Sequence, residues 1–112
     1  MPHINIQVQR IAATGASAKV ETLLHIIHSM PSGNQTASLQ WDAPNYCNIF
    51  VDTSNAADLW ANLSRAMESD EPFWSWLKQR WIVILEGKNG WNDYLLLAHF
   101  KRSSKLDTLD RN

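Results

Sequence analysis

Two apolar runs, WIVILE at 81–86 and WNDYLLLAHF at 91–100, stand on either side of Gly87-Lys88-Asn89-Gly90. Asn-Gly is a strong short-range hairpin signal, because both residues accept the positive φ that a type I′ turn requires. The runs are of strand length and predict two antiparallel strands. Leu95, Leu96 and Leu97 are consecutive, so successive side chains place apolar groups on both faces of the second strand. A strand that is apolar on both faces must be covered on both. Such a chain therefore needs a sheet with helices packed on one side and something else over the last hairpin on the other.

The remaining elements fit that demand. In HINIQVQRI (3–11), Ile4, Ile6 and Val8 alternate with Asn5, Gln7 and Gln9, which predicts a strand with one face in water. Thr14 or Ser17 is placed to cap a helix in which Val20, Leu23, Leu24 and Ile27 follow helical spacing, and Pro31 and Gly33 end it. Ala37, Leu39 and Trp41 alternate with polar neighbours, Asp42-Ala43-Pro44-Asn45 reads as a turn, and YCNIFVD (46–52) forms the returning strand. Asn55 stands three residues before Asp58 as a cap, and Ala56, Leu59, Trp60, Leu63, Ala66 and Met67 line one helical face. Pro72 suits the first turn of a further short helix.

The order is β-α-β-β-α-β-β. It predicts an α+β two-layer sandwich, a ferredoxin-like antiparallel or mixed sheet with its helices on one face. Residues 1–102 are expected to form one compact domain and 103–112 a flexible polar tail. Expected core residues are Leu23, Ile27, Trp60, Leu63, Ile84 and Leu96.

Charge and composition exclude several classes of function. The formal net charge of the 112-residue chain is −1, so no bulk field favours nucleic acid or an anionic membrane. No basic-aromatic motif of an RNA-reading strand occurs, and no window approaches the ~18 apolar residues of a membrane span. Cys47 is the only cysteine, so no internal disulfide can form; with no basic segment or apolar leader at the N-terminus, a cytoplasmic location is expected. No glycine-rich phosphate loop is present, and no cofactor is expected.

Six tryptophans are the compositional anomaly, and three fall within EPFWSWLKQRW (71–81). On a helical wheel Phe73, Trp74, Leu77 and Trp81 share a face and read as packing, whereas Trp76 falls at or beyond its edge. Trp91 follows the predicted turn, where a strand end is normally wet. Trp76, Trp91 and Tyr94 are therefore the candidate interface residues, since an exposed tryptophan is a favoured anchor.

His25 and His28 are three residues apart on the first helix, a spacing at which two side chains can share a metal. Two imidazoles do not make a zinc site, and polar helix boundary is the plainer account; no metal is expected. His99, within LLLAHF, and His28 are the candidate pocket residues, with His99 fit for acid or base work if burial tunes it. Cys47 reads as a small apolar filler. Asp52 and Glu86 each end a strand, and the sequence does not fix their separation. No catalytic constellation results.

In length and element order the chain resembles the dimeric α+β barrel proteins, which include small monooxygenases and stress-response proteins. The resemblance lies in layout alone and carries no functional residue across. Two functional readings follow. The first is a non-enzymatic protein–protein interaction module, either self-associating as a homodimer or binding a protein partner in the manner of an inhibitor or immunity protein. The second is a small-ligand-binding protein or cofactor-free enzyme with an aromatic-lined pocket. A filled core with an exposed aromatic patch favours the first; a hollow between sheet and helices favours the second.

Overall fold

The computed structural model describes residues 3–9, 16–30, 35–42, 46–87, 90–101 and 103–107. They form β1 (His3–Gln9), α1 (Ala16–His28), β2 (Gln35–Asp42), β3 (Tyr46–Thr53), α2 (Ala56–Ser69), α3 (Glu71–Leu77), β4 (Trp81–Gly87) and β5 (Gly90–His99). The architecture is α+β, with three helices and one five-stranded sheet in the order β2-β3-β1-β4-β5. Every neighbouring pair is antiparallel, so the sheet is not mixed. β1 and β2 run parallel with β3 between them, and β3 and β4 run parallel with β1 between them. Each helical connection therefore passes over one strand before it re-enters the sheet.

Local chemistry sets the helix starts. Asn55 Oδ1 accepts from the Asp58 backbone N–H at 3.1 Å while Asn55 Nδ2 donates to Asp58 Oδ2 at 2.8 Å, which satisfies an otherwise orphaned donor of α2. Asp70 Oδ1 accepts from the Phe73 N–H at 3.4 Å, and Pro72 occupies the first turn of α3, where its missing N–H costs nothing. Of the two caps expected for α1, Ser17 lies inside the helix and Thr14 lies outside the described residues.

The core lies between the helices and one face of the sheet. Ile4, Ile6 and Val8 of β1 sit opposite Val51, Ile49 and Cys47 of β3 and Leu85, Val83 and Trp81 of β4. All are buried, together with Val20, Leu23 and Ile27 of α1, Leu59, Leu63 and Met67 of α2, and Phe73 and Leu77 of α3. That one cluster joins all three helices to the same sheet face. Among the described residues no helix is long and apolar enough to cross a membrane.

Three expected core residues are only half-buried, and of these Trp60 still packs against the core. Trp60 is half-buried, because α2 turns Leu59, Leu63 and Met67 inward and leaves Trp60 about 100° round the wheel from Leu59. Ile84 and Leu96 are also half-buried. They face one another on the side away from the helices, because Val83 and Leu85 take the inward positions of β4. The pairing passes from Val83–Ala98 to Ile84–Leu96, so Leu97 is an inserted residue. This bulge buries Leu97 and Ala98 next to each other and re-phases the strand.

Candidate functional site

Two regions carry side chains beyond what the core requires. The first is the sheet face away from the helices. Along β1, Gln9 Nε2 donates to Gln7 Oε1 at 2.7 Å, and Gln7 Nε2 donates to Asn48 Oδ1 of β3 at 3.3 Å. This strip of amides runs down the middle of the face. Beside it Phe50 of β3 is 40% exposed, and on the other side Ile82 and Ile84 of β4 and Leu96 of β5 are half-buried. Tyr94, next to the helix-facing Leu95, points to this same side and is 53% exposed. A hollow of about 410 Å³ lies at one end, lined by His3, Asn5, Phe50, Asp52 and Ile84 among others. Asn5 Oδ1 is buried there with no partner among the described residues.

The strand order also gathers a charged group at that end. His3 Nδ1 pairs with Asp52 Oδ1, and His3 Nε2 lies 3.6 Å from Glu86 Oε2. β1 lies between β3 and β4, so its first residue bridges the two strand-end carboxylates. His3 and Asp52 remain nearly half exposed, and exposed pairs of this kind contribute little to stability.

The second region lies on the helix side, where α2 and α3 meet the end of β5. Trp60, Ser64 and Glu68 form a stripe on α2; Trp74, Lys78 and Gln79 come from α3 and its exit; Trp81 is the floor. Leu97, His99, Phe100 and Leu106 complete a pocket of about 710 Å³. The Trp60 and Trp81 rings lie 5.7 Å apart with a 36° tilt, and Trp74 meets Trp81 edge-on at 5.5 Å and 76°. The edge-on pair has a favoured aromatic geometry, and the tilted pair lies within the same range of ring separations. Residues past β5 help to build the wall. The Asp107 N–H donates to the Leu96 carbonyl and Asp107 Oδ2 accepts from the Leu96 N–H, both at 2.8 Å. This doubly made pin holds Leu106 beside the pocket.

The residues singled out from sequence separate between these regions. His99 lines the aromatic pocket. Its ring lies 4.5 Å from that of Phe100, and its Nδ1 accepts the Lys101 N–H at 3.0 Å. A backbone N–H can only donate, so Nδ1 is an acceptor and the proton of the neutral ring sits on Nε2. His28 is remote from that pocket, exposed on α1, with Nε2 3.2 Å from the Ala37 carbonyl oxygen. His25 is exposed on the same helix. Among the described residues no group of three or more His, Cys, Asp and Glu side chains is placed to hold a metal. Cys47 is buried.

Trp76 is half-buried against Phe73, with the Arg80 guanidinium 5.0 Å and the Lys19 ammonium 5.8 Å from its ring. Lys19 belongs to α1, so Trp76 ties α3 to α1. Trp91 lies in β5, with its side chain outside the described residues. Sequence reasoning missed Phe50 and Trp41, which is 43% exposed on β2. It also missed the His3 bridge. Phe50 could have been found by alternation, because Ile49 and Val51 claim the inward positions.

No protein-family model matches the chain, and no curated protein or solved structure is significantly similar to it.

Proposed function

We propose that the protein is a non-enzymatic interaction module that associates with a second copy of itself through the sheet face opposite the helices. The observation that carries this reading is the exposure of Phe50 and Tyr94 on that face, with Ile82, Ile84 and Leu96 between them. Large apolar side chains grouped on one face mark contact sites more reliably than scattered ones. The amide strip on β1 suits the same use, since Gln and Asn offer both donors and acceptors to a partner. A two-fold axis through the face sets the β4–β5 side of one copy against that of the other, an isologous contact that needs no second surface. The ferredoxin-like reading of the fold belongs with this proposal. The order β2-β3-β1-β4 with helices on one face supports it, and β5 widens the sheet by one strand on the side where the contact is placed.

Light scattering coupled to size exclusion tests the reading. A dimer is expected at about 100 μM, given a contact of roughly 800 Å² per copy. Phe50→Asp with Ile84→Asp is expected to leave a folded monomer, because like charges and lost apolar area both act at the contact. A wild-type chain that stays monomeric up to about 1 mM would sink the proposal.

A further inference from the structure

We infer that the outer edge of β2 pairs with the same edge of a second copy, antiparallel about a two-fold axis at Gln40, so that two sheets become one. The contact lies at the edge of the sheet farthest from β5, and it neither uses nor requires the face contact proposed above.

The direction of each main-chain group in β2 follows from one hydrogen bond in β1. The Gln9 N–H donates to the Arg80 carbonyl at 2.8 Å, so Gln9 and, by alternation, Gln7 and Asn5 turn their main-chain groups toward β4. Ile4, Ile6 and Val8 then bond to Val51, Ile49 and Cys47 of β3. The other set of β3, Asn48, Phe50 and Asp52, bonds to Gln40, Ser38 and Thr36 of β2. Ala37, Leu39 and Trp41 are left with N–H and C=O groups that point off the edge. An independent contact agrees, because the Ala37 carbonyl accepts from His28 Nε2 at 3.2 Å. Leu39 and Trp41 have no such main-chain partner among the described residues.

Three observations make the occupant a second copy. The strand QTASLQWD carries neither Pro nor Lys, and Asp42, its only charged residue, lies at its end, so it lacks the usual guards against strand addition. At the opposite edge of the sheet both main-chain groups of Leu96 are taken by Asp107, so β5 of another copy cannot pair there. The free edge therefore closes on its own kind, as an isologous pair, rather than growing head to tail. Lastly, a register centred on Gln40 is self-complementary. It sets Leu39 against Trp41 of the second copy and Trp41 against its Leu39, which joins all the open main-chain groups. Both side chains lie on the helix side, opposite Ile49 and Cys47, so the 43% exposed Trp41 ring covers Leu39 across the junction. Asp42 falls opposite Ser38, so no like charges meet. The two His28 side chains, bound at Ala37, stay clear of the axis.

Amide hydrogen exchange and chemical shifts of the unaltered protein, compared at about 50 μM and about 2 mM, test this. A contact this small belongs to the weak, transient class, with an expected Kd of about 1 mM, so it adds little at the concentration that reports the face contact. At the higher concentration the Leu39 and Trp41 amides should shift and exchange about twofold more slowly. The Ser38 and Gln40 amides, already bonded to β3, should be protected equally at both. Gln40 is exposed, so Gln40→Lys and Gln40→Glu should both fold. Each alone puts like charges at the axis and should lose the effect. Mixed in equal amounts they put opposite charges there, and the mixed pair should be about fivefold tighter than the unaltered one. Leu39 and Trp41 amides that exchange at one rate at both concentrations overturn the inference: if fast, the edge stays bare, and if slow, the chain covers it itself. Movement confined to Phe50, Ile84 and Leu96 reports the face contact alone and overturns it too, as does a mixture no different from its components. If neither variant folds, the dilution series on the unaltered chain decides.

Discussion

Replacing Trp81 by alanine should be the most damaging single truncation among the tryptophans, and Trp60 provides the internal comparison. Trp81 is 3% exposed and opens β4 at the point where β1, α2 and α3 converge. Truncating a fully buried large aromatic costs about 3–5 kcal/mol. Trp81 also makes two ring contacts, each worth about 0.5–1.5 kcal/mol beyond its buried area, so the upper part of that range applies, at about 4–5 kcal/mol. Trp60 keeps part of its ring in water and makes one of those contacts. Its loss should cost about half as much, roughly 2 kcal/mol. The two substitutions together should cost less than their sum, because the contact between the rings can be lost only once. Urea unfolding followed by far-ultraviolet circular dichroism measures all three, since that signal does not rely on the tryptophans removed. If Trp81→Ala and Trp60→Ala prove equally costly, or Trp81→Ala costs under about 1.5 kcal/mol, the packing argument fails. Total stabilities of about 5–15 kcal/mol leave Trp81→Ala near the limit of folding. Trp81→Phe, which retains a ring, should remain folded and fall between the two.

Two further substitutions probe the local devices that fix the ends of elements. Asn55→Ala removes the reciprocal cap of α2 and should lower stability by about 1 kcal/mol in the same urea assay; no change would mean that Asp58 alone holds the first turn. Asp107→Ala breaks one of the two hydrogen bonds to Leu96, so the Leu96 amide should exchange with solvent markedly faster while the amides of β1 stay protected. Unchanged exchange at Leu96 would show that the backbone bond alone is enough to hold the segment.

Much of the secondary structure was legible because each piece announces itself locally. The Ile4-Ile6-Val8 alternation, the Leu59-Leu63-Met67 stripe and the Asn55–Asp58 pair each lie within one or two turns of chain and do not depend on distant partners. What the sequence hid was decided by pairing at long range. Three consecutive leucines carry no alternation, so nothing in them says that Leu97 is the inserted residue or that Leu96 faces away from the helices. His3 meets Asp52 and Glu86 only because β1 is placed between β3 and β4. His99 was noticed as an unusual residue in an apolar strand, yet the three tryptophans that line the same pocket come from α2, α3 and β4, three successive elements whose packing against the end of β5 no local pattern announces.

The central place of β1 has a kinetic side. Ile4 lies opposite Val51 on one edge and Leu85 on the other, so its neighbours are roughly 47 and 81 residues further along the chain. A strand of seven residues has no partner nearby in sequence, and its loops must close before any ladder bond rewards them. During synthesis β1 leaves the ribosome ahead of β4 and waits for it with Ile4, Ile6 and Val8 uncovered. At about 5–20 residues per second that wait lasts several seconds. The hairpins β2–β3 and β4–β5 pair locally, but they should join into one sheet only late, when β1 meets both, and until then β1 is the segment for which a chaperone would compete.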